Sequence, residues 1–168
     1  RKTDNEVMQV LLDENGDPGF TYVLGQQLII KRKIGGLWSQ ESAGGCSFRE
    51  TTLDFDSNNY PHILVARLGA PEGPMTYFFE NASGWTIEEV SEPGEFSDIV
   101  MQLDTQDDIQ LICYEETDPS QLIHGFPDPD DWSYSGVVKN LNYGSLDRYY
   151  MGNGGSIFTI RESGLHGV

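Results

Sequence analysis

Short apolar runs separated by turn residues fill the chain. In the segment 51–90 four such runs stand between clusters of Asn, Asp, Gly and Pro, at 51–55, 62–66, 75–79 and 85–90. The runs are rich in β-branched and aromatic residues, which favour strands. None has the length or the 3.6-residue period of an amphipathic helix, so the pattern predicts an all-β chain.

The pattern recurs about every 47 residues. Trp38, Trp85 and Trp132 stand 47 residues apart, each just after a cluster of turn residues. Aspartates that open an earlier turn recur in step with them. They are Asp13, Asp56 and Asp104. Four short strands in a 40–50-residue repeat are the signature of a β-propeller, so we expect four-stranded antiparallel blades, about 3.5 of them in this chain.

The repeat also predicts the boundaries of the units. We expect one propeller segment over 1–168, with blades over 7–46, 47–96, 97–145 and a partial blade over 146–168. The spacing gives fifteen strands, and the last blade ends after its third. Asn15-Gly16 in the first blade and Asn58-Asn59 in the second favour tight turns with positive φ between the first and second strands.

Composition and charge argue against some classes of ligand. The 168 residues are 38% hydrophobic, enough for a packed core, and carry a formal charge of −17. Such a surface repels nucleic-acid phosphates and anionic membranes. No apolar run approaches the roughly 18–20 residues that a membrane-spanning helix needs. Three explanations of the charge stay open: solubility, calcium binding and adaptation to high salt.

Few residues are candidates for binding a metal or forming a disulfide. The sequence 13–17, DENGD, has alternating oxygen ligands as calcium loops do, but no Glu closes the loop, and Asx turns explain the same residues. We therefore expect no cofactor, with calcium left open. His124 and His166 lie in matching runs and are expected to be half-buried. Cys113 lies in an apolar run and predicts a buried thiol, while a disulfide with Cys46 stays open.

Two segments carry a family resemblance. The sequences FDSNNYPHI at 55–63 and SGWTIEEV at 83–90 resemble repeats of secreted, mostly bacterial, sialidase-like or lectin-like propellers. The turn NASGW at 81–85 lacks the Asp and Thr of the sialidase Asp box. The resemblance implies a propeller fold and an extracellular or cell-surface location, and it implies less about activity.

No catalytic constellation stands out. The six arginines are scattered, with Arg67 alone near a loop between a second and a third strand, and no nucleophile elbow or phosphate loop is present. The tryptophans are expected to pack between blades rather than to stack on sugars. Ligand-binding residues are predicted in the loops that join second to third strands or one blade to the next. They are Glu72, Glu95, Glu115, Glu116, Asp118, Asn142 and Tyr143.

These features favour a non-enzymatic binding or assembly module whose ligand is a glycan or a protein. The alternative is a fragment or subunit of a sialidase-like glycosidase with catalytic residues in other blades. A partial blade leaves faces and edges open, so we expect a second propeller chain or missing blades to complete the ring, meeting it near 8–12 and 158–161. A four-bladed ring closed by 1–6 is the other solution.

Overall fold

Fourteen strands, and no helix, make up the described part of the chain. The computed structural model describes residues 7–45, 50–66, 75–90, 96–115, 121–128, 131–139, 148–152 and 156–160. The strands are β1 (Val7–Leu12), β2 (Pro18–Leu24), β3 (Gln27–Ile34), β4 (Leu37–Gly45), β5 (Glu50–Phe55), β6 (Pro61–Ala66), β7 (Met75–Asn81), β8 (Gly84–Val90), β9 (Phe96–Leu103), β10 (Ile109–Glu115), β11 (Gln121–Asp128), β12 (Asp131–Lys139), β13 (Arg148–Gly152) and β14 (Ser156–Ile160).

The strands form three antiparallel meanders of four strands each. Sheet 1 contains β1 to β4, sheet 2 contains β5 to β8, and sheet 3 contains β9 to β12, each in chain order. The all-β class and the four-stranded repeat are thereby confirmed, and none of the three sheets closes on itself. β13 and β14 pair as a hairpin. The expected third strand of the last repeat falls at 161–168, outside the described residues.

The turn between the first and second strands has the same structure in all three sheets. In sheet 1 the Asp13 amide donates to the Asp17 carbonyl (2.9 Å), and Asp13 Oδ1 accepts from the amides of Asn15 (2.9 Å) and Asp17 (2.8 Å). Asp56 and Asp104 make the equivalent bonds in sheets 2 and 3. The Asx turns expected from the sequence are therefore present.

One residue in each of these turns is left-handed. It is the fourth: Gly16 (φ 78°), Asn59 (φ 63°) and Asp107 (φ 65°). The tight turns with positive φ expected at Asn15-Gly16 and Asn58-Asn59 are five-residue turns, in which only the second residue of each pair has positive φ. Glycine, asparagine and aspartate are the residues that tolerate this conformation best.

The sheets stack in chain order around two apolar clusters. Cluster A joins sheets 1 and 2; its members are Leu28, Ile30, Ala43, Leu53, Phe55, Ile63, Val65 and Phe78. Cluster B joins sheets 2 and 3; its members are Leu64, Met75, Tyr77, Val90, Met101, Leu103, Ile109 and Leu111. Neighbouring strand residues point to opposite faces, so Ile63 and Leu64 of β6 enter different clusters. Sheet 2 is consequently apolar on both faces.

The first strands of the sheets lie side by side. β1 contacts β5, and β5 contacts β9. β2 also approaches β5, and Gly19 of β2 allows this approach, since a Cβ there would stand 2.5 Å from Phe55 Cζ. The stacking order is therefore fixed at the first strand as well as in the two clusters.

Candidate functional site

The predicted ligand-binding loops lie almost wholly outside the described residues. Six of the seven predicted side chains belong to undescribed segments. They are Glu72, Glu95, Glu116, Asp118, Asn142 and Tyr143. Glu115 is the last residue of β10, where its backbone pairs with Gln121 and Phe96, and only its backbone is described. It lies at the end of sheet 3 where β10 leads into the loop toward β11.

The polar side chains that are described form three groups, of which the first is the row of Asx turns. Successive turns are linked: Asn59 Oδ1 accepts from the Glu14 amide (3.1 Å). Asp107 accepts from Ser57 twice, through Oδ1 from the amide (2.8 Å) and through Oδ2 from the hydroxyl (2.6 Å). In the second and third turns the left-handed residue, Asn59 or Asp107, therefore holds the preceding turn in place.

This row accounts for the aspartates that raised the question of calcium. Asp13, Asp56 and Asp104 each accept two backbone amides through one carboxylate oxygen. Within the described ranges no group of three or more His, Cys, Asp or Glu residues is placed to hold a metal ion. Turn chemistry thus explains the positions of these three aspartates.

The second group is an ion cluster between sheets 1 and 2. Arg32 Nη2 donates to Glu41 Oε1 (3.0 Å) and to Glu80 Oε2 (2.5 Å), and its Nη1 donates to the Asn59 carbonyl (3.2 Å). Trp85 Nε1 donates to the other oxygen of Glu41 (3.4 Å). One cation thus serves two carboxylates; the side chains of Arg32 and Glu80 are only 12% and 16% exposed, whereas that of Glu41 is 34% exposed.

Burial affects the pKa of one carboxyl group in this cluster, that of Glu80. Desolvation raises the pKa of Glu80 above its ordinary value, and the Arg32 guanidinium partly offsets that rise. Arg32 was not singled out by the sequence. The available signal was its alternation with Leu28 and Ile30 on β3, which places it on the buried face of the strand.

The third group lies between sheets 2 and 3 and binds the open edge of β9. The Thr52 hydroxyl donates to the Met101 carbonyl (3.3 Å) and accepts from the Met101 amide (3.1 Å). Asp54 Oδ2 accepts from the Leu103 amide (2.7 Å). Burial raises the pKa of Asp54, although its backbone hydrogen bonds oppose the shift. Side chains of β5 thus replace the strand that β9 lacks on that side.

A histidine–tyrosine pair completes the third group. His62 Nδ1 is hydrogen-bonded to the Tyr77 hydroxyl, and its Nε2 lies 3.9 Å from Asp56 Oδ2. Burial lowers the pKa of His62 and raises that of Tyr77. Both groups therefore keep their neutral forms around neutral pH, which suits a structural pair better than a proton carrier.

Sheet 3 carries an equivalent of this pair. His124 Nε2 lies 2.7 Å from Gln110 Oε1, and the imidazole is half-buried as expected. Burial lowers the pKa of His124 as well. His62, the more enclosed of the two, was not singled out by the sequence, and His166 lies outside the described residues.

The tryptophans divide into two classes. Trp85 packs against cluster A and Trp132 against cluster B, so both lie between successive sheets as expected. Trp38 is instead 53% exposed. Its ring meets Phe20 edge-on at 5.8 Å, and Lys31 Nζ lies 5.6 Å from its centroid. Cys113 is fully buried on β10, and Cys46 lies outside the described residues.

Comparison with protein-family models and with curated proteins gives no match for this chain. The likeness of its repeats to sialidase-like or lectin-like propellers therefore remains a proposal. No helix in the described part of the chain is long and apolar enough to cross a membrane.

Proposed function

We propose that the chain is a non-enzymatic binding and assembly module, a segment of an extracellular β-propeller that binds a glycan or a protein through the loops at one end of its sheets. The observation that carries the proposal is the stacking of three equivalent sheets in chain order with their first strands adjacent. Continued in the same sense, such stacking generates blades around an axis.

The use made of the polar groups supports a binding role over catalysis. The Asx aspartates hold turns, Arg32 pairs with two carboxylates between sheets 1 and 2, and Asp54 accepts from the β9 backbone. Each of these groups already has a structural task. We therefore assign ligand binding to the loops, as in other scaffolds whose functional residues lie in loops.

The ligand class follows from the predicted loop residues. Carboxylates, an amide and one tyrosine suit the hydroxyl groups of a sugar or a basic patch of a protein. Glu115, at the end of β10, gives the position of one of these loops on the sheet. Glu72, Glu116 and Asp118 are expected in loops at the same end, because they too follow second strands.

The test uses the whole chain and two sets of three substitutions. Labelled protein is applied to printed glycans and to an immobilised lysine-rich peptide. The loop variant is Glu72→Gln, Glu115→Gln, Glu116→Gln. The control removes the same charge from exposed residues elsewhere: Glu14→Gln, Glu88→Gln, Glu89→Gln.

We expect the loop variant to lose binding to one of the two probes and the control to retain it. Failure of the unchanged protein to bind either probe contradicts the proposal. Equal loss in both variants shows a bulk charge effect instead. Release of a fluorescent aglycone from a sialoside by the same preparation would support the glycosidase alternative.

A further inference from the structure

The turn between β7 and β8 carries the one N-glycosylation sequon of the sequence. Asn81-Ala82-Ser83 has asparagine, a residue other than proline, and serine in the required order, and no other asparagine of the 168 residues is followed two positions later by Ser or Thr. Asn81 ends β7 and pairs with Gly84, the first residue of β8, so Ala82 and Ser83 form the tip of a tight hairpin. Both tip residues are exposed. The sequon is therefore presented at the end of sheet 2 rather than within its core.

The geometry of this turn explains the asparagine but not the serine. Asn81 Oδ1 accepts from the Ser83 amide (2.8 Å), an Asx turn that uses only the backbone of residue 83. The matching position in the hairpin of sheet 1 is Gly36, and in the sequence between β11 and β12 it is Asp130. A hydroxyl at this position is thus a feature of sheet 2 alone, and it is the feature that a sequon requires.

The Asn81 amide is able to carry a sugar and keep its contacts. Its Nδ2 donates to the Thr86 hydroxyl (3.3 Å). A side-chain amide has two N–H groups. An N-glycosidic bond replaces one of them, so the other remains to donate to Thr86, while Oδ1 keeps the amide of Ser83. The hairpin therefore retains both of its side-chain hydrogen bonds after glycosylation.

The sequon lies at the end of the sheets opposite to the predicted ligand-binding loops. In an antiparallel meander the turns after the first and third strands lie at one end, and the connections after the second and fourth strands lie at the other. Asn81 ends a third strand and so shares its end with the Asx turns, whereas Glu115 ends a second strand. The turn also joins the two strands of sheet 2 that are farthest from β5, through which this sheet contacts β1 and β9. A glycan at Asn81 covers neither the contacts of β5 nor the loops.

We propose that Asn81 is a site of N-linked glycosylation, with a lipid-linked oligosaccharide pyrophosphate as the sugar donor. The proposal rests on the extracellular location in the proposed function, because this donor is met on the secretory route. In the transfer Asn81 Nδ2 bonds to the anomeric carbon of the first sugar, and the bond from that carbon to the pyrophosphate oxygen breaks. The lipid pyrophosphate leaves with the electron pair, and Nδ2 gives one proton to a base of the transferase. The product is a bulky, solvated group at an exposed tip.

The experiment expresses the whole chain behind a cleavable signal sequence in yeast or mammalian cells. Asn81→Gln and Ser83→Ala each remove the sequon, and Ser83→Ala keeps both hydrogen bonds of the Asn81 side chain. Ser83→Thr preserves the sequon. Asn58→Gln is the matched control, since Asn58 is an exposed turn asparagine at the same end of sheet 2 that belongs to no sequon.

We expect the unchanged chain, Ser83→Thr and Asn58→Gln each to carry one glycan. It is detected as a gel shift that peptide-N-glycosidase removes, and peptide mass spectrometry then finds aspartate at position 81. Asn81→Gln and Ser83→Ala should carry none. The glycan is measured on the chain retained in cells as well as on the secreted chain, so poor folding or secretion of one variant does not hide the result.

Two results overturn the proposal. One is an unchanged chain without a glycan, and the other is a glycan that persists in Asn81→Gln or Ser83→Ala. The glycosylated chain and Ser83→Ala are then compared on the printed glycans and the lysine-rich peptide. We expect equal binding, because the sequon and the loops lie at opposite ends, and weaker binding by the glycosylated chain would contradict that placement. Absence of binding in both contradicts the proposed function and not the glycosylation site, so the two failures are distinguishable.

Discussion

The contact between sheets 1 and 2 and the contact between sheets 2 and 3 share an apolar design and differ in their polar groups. Clusters A and B each contain eight buried residues. The first contact adds Arg32 with two glutamates, whereas the second adds Thr52 and Asp54 bound to the backbone of β9. The apolar faces of a repeat are thus reused, while the polar groups between them vary.

The first strands account for part of this difference. Leu11 of β1 holds the place of Asp54 in β5, two residues before the turn aspartate, and packs against cluster A instead of binding a backbone amide. The polar contact near β5 in the first interface is a hydroxyl pair, Thr21 Oγ1 and Thr51 Oγ1 at 3.2 Å. The first interface has its charged hydrogen bonds away from the first strands, in the cluster around Arg32 on β3. These bonds take the place of those that Asp54 and Thr52 make in the second interface.

The largest expected effect tests whether the two apolar clusters are equivalent. Leu28→Ala in cluster A and Leu111→Ala in cluster B, both at fully buried residues, should each lower the free energy of unfolding by about 2–5 kcal/mol. Leu37→Ala makes the same chemical change at a residue that is 78% exposed and should change it by less than about 0.5 kcal/mol. Urea unfolding measures all three. A loss of under about 1 kcal/mol at Leu111 alone would show that only the first contact is tightly packed.

The next effect tests the ion cluster. Arg32→Met leaves Glu41 and Glu80 without their cation and should cost about 3 kcal/mol at pH 7. Lys33→Met is the matched control, since its ion pair with Asp17 (3.4 Å) is more exposed and such pairs are worth about 0–1 kcal/mol.

The pH dependence of stability distinguishes the charge of Arg32 from its packing. The pKa of Glu80 is already raised by burial, and removing Arg32 raises it further. A carboxyl with a raised pKa in the folded state stabilises the fold as it takes up its proton, so Arg32→Met should regain stability as the pH falls. Adding Glu80→Gln should restore stability at pH 7. A loss that neither acid nor Glu80→Gln reduces would assign the role of Arg32 to packing of its stem.

A smaller effect of opposite sign is expected from the second contact. The folded state lowers the pKa of His62 below its ordinary value of 6.5. The unfolded chain therefore takes up the proton first, so the contribution of His62 is full above pH 6.5 and is lost as the pH falls toward the folded-state pKa. His62→Gln, which keeps a partner for Tyr77, should flatten the decline in stability between pH 7 and 5.5. Parallel pH profiles of the variant and the unchanged protein would contradict this.

The strands and turns were predictable because their signals are local. Runs expected at 62–66 and 75–79 are found as β6 (Pro61–Ala66) and β7 (Met75–Asn81), and the Asx turns begin at the expected aspartates. The Arg32 cluster and the His62–Tyr77 pair were not predicted, because they depend on how faces of different strands meet. The exposure of Trp38 was not predicted for the same reason. The repeat shows that a tryptophan recurs at this position, but it does not show whether another sheet packs on each of the three tryptophans.

The smallest effect compares the turn links at the two contacts. Asp107→Gly and Asn59→Gly both delete the linking side chain while keeping a residue that accepts positive φ, so backbone strain does not confuse the result. Asp107 contributes a carboxylate with two hydrogen bonds to Ser57, at 2.8 and 2.6 Å, whereas Asn59 contributes one neutral bond to Glu14 at 3.1 Å. Charge-assisted bonds are the stronger kind, so Asp107→Gly should cost about 1 kcal/mol more than Asn59→Gly. The entropy that glycine adds to the unfolded chain is common to both and cancels in the difference. Urea midpoints at equal slopes give the comparison, and an equal cost for the two substitutions would show that solvent already weakens the Asp107 link to the level of the neutral one.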